Sequence, residues 1–432
     1  MSRRNLLFII IGVIAVLFIV LIILGTRKPA TQKLAYQPAN LTIWGAYDDP
    51  SYYDQIITDF QRTYPGITVT YRTFSSSTYQ SSLINGLASG SGPDIFMINN
   101  TWMGSYQDKI ATAPASLISP AVYSSTFDNV ATKDFVLSNA IYAVPLYVDT
   151  MALYYNTDLF NSAGIAQPPA TWSQFNQDVQ TLTKLDQYGN ITQAGGAIGT
   201  SQNINRSTDI LSLLMMQSGA KMYDRINKDA TFDQAVGSST PGQQALTYYT
   251  NFANSANQDY TWNSRMPYSV DAFEQGKVAM MFNYSFMISQ LKTQAPYLHF
   301  AVAPMPQLDT SNKKNIANYW ALTVAKTSPH PYDAWMFLTF LGSNKEMEKY
   351  LQAAQVPTPI PALYNWQLSD KSTDPLLDPF IQQTLTADDW YEPDANAVEQ
   401  IFANMIDQVN LGQKTVSDAL SNAATLVTNL GK

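Results

Sequence analysis

Residues 143–155 are apolar and rich in β-branched and aromatic side chains, interrupted by one acid, Asp149. A carboxylate in such surroundings needs partners, because burying an unpaired charge is expensive. Hydroxyls of a ligand can supply them. Side chains two apart on extended chain face the same way, so Tyr147 shares the face of Asp149. Two loops offer related chemistry. In open α/β sheets, ligands sit beyond the carboxyl ends of strands. That points first to residues 45–49, Gly-Ala-Tyr-Asp-Asp, after a strand candidate at 41–44. There Tyr47 can stack and Asp48 can accept from hydroxyls, while Asp49 suits a helix cap. A second loop, Asn99-Asn100-Thr101-Trp102, follows a strand candidate at 94–98. Aromatic faces match apolar CH faces of a neutral polar ligand, and Asp and Asn match its hydroxyls.

Other chemistries lack residues. With no Cys, disulfides, thiolate nucleophiles and Cys-based metal sites are excluded. The two His, His299 and His330, leave almost no room for His triads or multi-His metal sites. The turn at 186–190 lacks the regular acidic spacing of a calcium loop. We expect no catalytic group, metal or cofactor. Only 13% of residues are charged and the formal net charge is −8, with no basic run after the first 40 residues, so a nucleic-acid partner is not expected. Tyr (26) and Trp (8) are abundant, which favours neutral polar ligands.

The elements that must position these residues alternate. Asp49-Pro50 reads as an N-cap and first helical residue, followed by Tyr53, Ile56, Ile57, Phe60 and Tyr64 at helical spacing. Residues 67–72 alternate as a strand, and Tyr79, Leu83, Ile84 and Leu87 form another helical stripe. The βαβαβ order predicts a mostly parallel sheet covered by helices. Thr171 and Gln174 fit a capping box, and Pro168-Pro169 keeps the preceding chain out of helix. Residues 195–205 read as a Gly/Ser/Asn loop. At 432 residues, two or more domains are expected.

Residues 6–24 are an unbroken apolar run. At about 1.5 Å per residue the run is roughly 28 Å long, near the thickness of a bilayer core. It exceeds a secretory h-region and no small-x-small cleavage site follows, so it reads as an uncleaved anchor rather than a cleaved signal. Residues 1–5 form its tail, and 25–40, with Pro29 and Pro38, a polar tether. Charge does not settle orientation: Arg3 and Arg4 precede the run, and Arg27, Lys28 and Lys33 follow it.

Four motifs occur in an order that resembles the family 1 extracellular solute-binding proteins, the maltose-binding-protein-like receptors of ABC importers. They are Leu87-Ala88-Ser89-Gly90 with Gly92-Pro93-Asp94-Ile95; Ala143–Pro145 with Tyr155-Asn156-Thr157-Asp158-Leu159-Phe160 and Ala163-Gly164-Ile165; Pro168–Phe175; and Phe273-Glu274-Gln275-Gly276-Lys277-Val278-Ala279-Met280. The resemblance implies a two-lobed periplasmic-binding-protein-like α/β fold of type II. Lobe 1 would comprise 41–148 with 320–364, and lobe 2 149–319 with 365–432. The crossings would fall near 147–152, 317–321 and 362–366.

Carried over residue by residue, Asp149 takes the place of a ligand-contacting Glu, and the loop with Asn99, Asn100 and Trp102 carries sugar contacts. The acid and aromatic positions of that loop read Thr101 and Ile98 here, with Trp102 shifted. Phe286 holds the place of a stacking aromatic, with Asn283 and Tyr284 beside it. Arg206 and Asp209, Trp320 and Trp390 lie in segments that the resemblance brings near the cleft. Asp94 belongs to a structural motif.

The implied function is an extracytoplasmic, membrane-anchored monomer. It would capture a sugar or oligosaccharide between its lobes and deliver it to ABC transporter permease subunits. The alternatives are a tethered glycan-sensing or adhesion receptor without transport, and a secreted glycosidase.

Overall fold

The computed structural model describes residues 38–432. The expected anchor at 6–24 and nearly all of the tether lie outside the described residues. Among those described, no helix is long and apolar enough to cross a membrane.

Two five-stranded sheets organise the chain. The first has the order Ile67–Thr73, Ala39–Gly45, Ile95–Asn99, Trp320–Val324, Val144–Pro145. The second has the order Phe300–Ala303, Ala152–Asn156, Val278–Asn283, Ile191–Gly196, Lys184–Leu185. The expectation of mostly parallel sheets is corrected here. Ala39–Gly45 runs parallel to Ile95–Asn99, as a helical crossover dictates. The chain leaves for the second sheet after Val144–Pro145 and returns at Trp320–Val324, which runs antiparallel to both its neighbours. In the second sheet only Val278–Asn283 and Ile191–Gly196 pair in parallel.

Local rules account for the elements. Asp49 accepts from the Ser51 amide at 2.9 Å and opens a 3₁₀ turn, Pro50–Tyr53, that leads into the helix Asp54–Thr63. The helix Ser76–Ser89 buries Tyr79, Leu83 and Leu87 and ends on Gly90, whose φ of 72° is one that L side chains rarely adopt. The helix Trp172–Leu182 has both halves of its capping box, an arrangement whose cap side chain contributes about 1 kcal/mol. The strand Ile191–Gly196 takes the first residues of the expected 195–205 loop.

The chain passes between the sheets at 145–152 and again at 316–320. These crossings run side by side: Thr150 bridges Ala317 in antiparallel fashion, and Asn318 N–H donates to the Asp149 carbonyl at 3.1 Å. The terminal helices Ala395–Asn410 and Val416–Leu430 share the core of the second sheet, with Phe402, Ile406, Leu420 and Val427 buried against residues such as Phe232 and Leu246.

Candidate functional site

Strand register brings the first wall together. Trp320 pairs with Asn99, so the indole stands at the strand end from which the 99–102 turn departs. Asn99 holds that turn: its side chain accepts from Thr101 N–H at 3.0 Å and Thr101 Oγ1 at 2.8 Å, and donates to Asn318 at 2.9 Å. Trp102 meets Trp320 edge-on with centroids 5.1 Å apart, and is backed by Tyr106 stacked at 5.4 Å. Tyr47, from the loop after Ala39–Gly45, lies 4.6 Å from Trp320 and is 55% exposed. Three rings thus share one wall of a cavity of about 490 Å³.

The opposite wall comes from the second sheet. Tyr284 and Phe286 follow the strand Val278–Asn283, and the Arg206 guanidinium lies over both rings, at 5.3 and 5.7 Å. Arg206 has φ 63° and immediately precedes the helix Ser207–Gln217. Tyr284 donates to Asp209 at 2.8 Å. Burial works against the Arg206 charge, and Asp209, Tyr284, Glu399 and Tyr268 together more than offset it, so the pKa lies above the ordinary arginine value. Asp209 itself is raised by burial, against the pull of Arg206 and Tyr284.

Asp149 sits at the crossing between the walls and also lines the cavity. It is buried, and accepts from Ser285 N–H and Oγ, both at 2.8 Å, and from Thr150 N–H at 2.9 Å. Burial nevertheless lifts its pKa to about 7. The third side is formed by Trp390 and Glu392, with Glu399 and Phe402 from the helix Ala395–Asn410. Glu392 has no side-chain hydrogen bond or ion pair among the described residues, and burial and neighbouring acids push its carboxyl well above the usual range. The buried Trp390 indole N–H is also unpaired.

Of the expected site residues, Tyr47, Asn99, Trp102, Tyr147, Asp149, Arg206, Tyr284, Phe286, Trp320 and Trp390 line this cavity. Asp48, Asn100 and Asn283 do not. Asp48 points into the core, where Tyr53 (2.5 Å) and Tyr350 (2.9 Å) donate to one carboxylate oxygen; burial raises its pKa to about 6. Asn100 donates to Asp389 at 2.7 Å and accepts from Tyr319 N–H at 3.0 Å. Asn283 donates to Asn205 at 3.0 Å and accepts from Tyr284 N–H at 2.9 Å. Asp94 ties strands together by accepting from Thr42 N–H at 2.9 Å and Ser328 Oγ at 2.6 Å. Sequence reasoning left out Glu392, Glu399 and Asn318. Glu392 had a signal, since it lies two residues after Trp390 on extended chain and so on the same side. Among the described residues no group of three His, Cys, Asp or Glu side chains is placed to hold a metal ion.

The model of the bacterial extracellular solute-binding protein family matches residues 45–348. The chain belongs to that family. Members are binding receptors and not enzymes. A binding protein of Brucella abortus is 26% identical over 70% of this chain and 71% of its own length. The multiple sugar-binding protein of Streptococcus mutans is 22% identical over 71% of each. The crystal structure of a cyclic α-maltosyl-1,6-maltose binding protein from Arthrobacter globiformis is similar in fold, with a TM-score of 0.77 at 20% identity, covering 91% of this chain and 99% of that one. This solute-binding protein therefore has the two-lobed α/β fold, and its cavity lies where segments of both sheets meet.

Proposed function

We propose that this solute-binding protein captures a neutral sugar or oligosaccharide between its two lobes and delivers it to an ABC importer. The carrying observation is a cavity that combines the Tyr47–Trp102–Trp320 wall with the hydrogen-bonding groups of Arg206, Asp209 and Glu392 on its other sides. Ring faces take the CH faces of a pyranose, and carboxylates and amides take its hydroxyls. The relatives named above that bind sugars support this ligand class. Lobe 1 is 41–148 with 320–364, and lobe 2 is 149–319 with 365–432; the paired crossings at 145–152 and 316–320 act as the hinge. Closure removes water from the polar contacts and strengthens each of them. A micromolar dissociation constant requires only about −8 kcal/mol, within reach of stacked rings plus several hydrogen bonds. The apolar run at 6–24 anchors the receptor, a monomer, to the membrane with the folded domain on the extracytoplasmic side.

The test is a calorimetric screen of neutral mono- and oligosaccharides, paired with small-angle scattering. Binding accompanied by a smaller radius of gyration supports capture by closure. A screen with no heat and unaltered scattering for every sugar rejects it. Membrane fractionation of the full chain tests the anchor: recovery in the soluble fraction rejects it. Co-purification with permease subunits from the native membrane tests delivery.

A further inference from the structure

A second depression of about 370 Å³ adjoins the cavity, and Arg206, Thr208, Asn396 and Glu399 line both. Its character differs from that of its neighbour. The inner cavity carries the aromatic wall, whereas the outer trough is edged by hydroxyls and amides with a single aromatic, Tyr268, 40% exposed. One side is the helix Ala395–Asn410, which presents Asn396, Glu399 and Gln400 at i, i+3 and i+4, hence on one face. The other is the loop before the helix Ser207–Gln217, which is held from behind. Ser201 Oγ donates to Asp407 at 2.5 Å, Asn205 N–H donates to Ser269 Oγ at 2.9 Å, and Asn205 Nδ2 donates to the Tyr268 hydroxyl at 2.5 Å. These bonds fix the trough wall before any ligand arrives, which lowers the ordering cost of binding.

Charge narrows the ligand class. The charged side chains in the trough are Arg206 and Glu399, of opposite sign and near enough to influence each other. The Glu399 carboxylate offsets the Arg206 charge, so the trough carries no net positive charge to select a phosphorylated or otherwise strongly anionic chain. At the junction Arg206 Nε is buried without a hydrogen-bond partner, a donor facing a place where an acceptor is owed.

We infer that the outer trough is a second glycan subsite. It takes the further units of a neutral oligosaccharide whose first units lie against Trp320. The ligand is then a chain that passes over Arg206, stacking an outer unit on Tyr268 and pairing its hydroxyls with Gln400 and Asn396. This rests on the sugar-capture reading and adds a length requirement to it.

The test is a calorimetric titration of linear α-1,4-glucans and β-1,4-mannans, disaccharide through hexasaccharide, backed by an array of neutral glycans of other linkages. Affinity should rise about tenfold or more from the shortest to the longer members of the bound series. Tyr268→Ala and Gln400→Ala should remove most of that gain and leave the shortest bound member within about twofold, a difference under about 0.5 kcal/mol. Trp320→Ala should weaken every length alike. Gln400 is exposed on a helix surface, so its variant keeps the test decisive even if Tyr268→Ala disturbs the loop. Equal affinity at all lengths, or variants that match the parent on the longest chains, would overturn the subsite and leave sugar capture standing. Failure to bind any glycan of the array would overturn both.

Discussion

Asp149 and Ser285 join the crossing chain to the end of the strand Val278–Asn283 through two hydrogen bonds of 2.8 Å to a single carboxylate oxygen. The same carboxyl lines the cavity, so one side chain both ties the crossing to the second sheet and faces the cavity.

That position titrates. Burial lifts the Asp149 pKa to about 7, while the unfolded chain holds an aspartate near 4. Between those values the folded protein binds more protons, so this group makes stability fall as pH rises from about 4 to 7, with its full cost felt above that. Asp149→Asn removes the contribution. Melting temperatures measured across that window should decline less steeply in the variant; an identical slope would show that burial does not perturb this carboxyl.

Asp48 answers to the core rather than to the ligand. Asp48→Ala leaves the buried hydroxyls of Tyr53 and Tyr350 without their acceptor. We expect a loss of about 2–4 kcal/mol in denaturant unfolding, with sugar affinity at saturating folded fraction unchanged. A variant of parental stability that no longer binds would assign Asp48 to the ligand instead.

Trp320 sits between Tyr47 and Trp102, at 4.6 and 5.1 Å. Trp320→Ala should weaken glycan binding tenfold or more, about 1.4 kcal/mol, with little loss in the second-sheet core. Calorimetry on the best sugar of the screen decides this, and unchanged affinity would remove stacking from the account.

Gly104 carries a close approach. A Cβ there would stand 2.5 Å from the carbonyl oxygens of Glu392 and Pro393. Gly104→Ala therefore pushes the 390–393 segment away from the short helix Met103–Tyr106. The expected outcome is a wider cleft, read as a larger radius of gyration with ligand present and at least fivefold weaker binding, about 1 kcal/mol. Parental scattering and affinity would show that the segment yields without moving the walls.

Behind that segment, Asp134 accepts from Tyr319 at 2.5 Å while Lys133 pairs with Asp388 at 2.6 Å and Asp389 at 3.3 Å. Burial and the adjacent Asp389 push Asp134 well above the carboxylate range; Asp389 is raised by burial too, with Lys133 pulling against it. A raised acid costs stability as pH rises above the unfolded value near 4, so the advantage of Asp134→Asn over the parent should grow by about 1 kcal/mol or more between pH 5 and pH 8. Denaturant unfolding at the two pH values checks this, and an advantage no larger at the higher pH would contradict it.

Local chemistry was legible in the chain. The Asp49 cap, the Thr171 capping box and the helices at Tyr53 and Tyr79 depend on neighbours within a few residues and form where they were read, except that Tyr53 closes a 3₁₀ turn and Ile84, expected in the buried stripe, faces outward. Family membership followed from motif order, because each motif is itself a local turn or cap. Strand direction was not legible: Trp320–Val324 runs against Ile95–Asn99 because of where the chain returns from the second sheet, and spacing carries no record of that.

The sequence alone thus determined the elements between residues 41 and 98, the capping box at Thr171 and the residue types suited to a polar ligand, since periodicity and capping act over one or two turns; the two-lobed fold was implied by the family resemblance. The tertiary structure alone decided which side chains share the cavity. Asp48 and Asp49 are adjacent and chemically alike, yet one is drawn inward by two tyrosine hydroxyls and the other caps a helix at the surface. Glu392 lines the same cavity as Arg206 and Asp209, nearly two hundred residues away in the chain, because long-range packing sets those meetings.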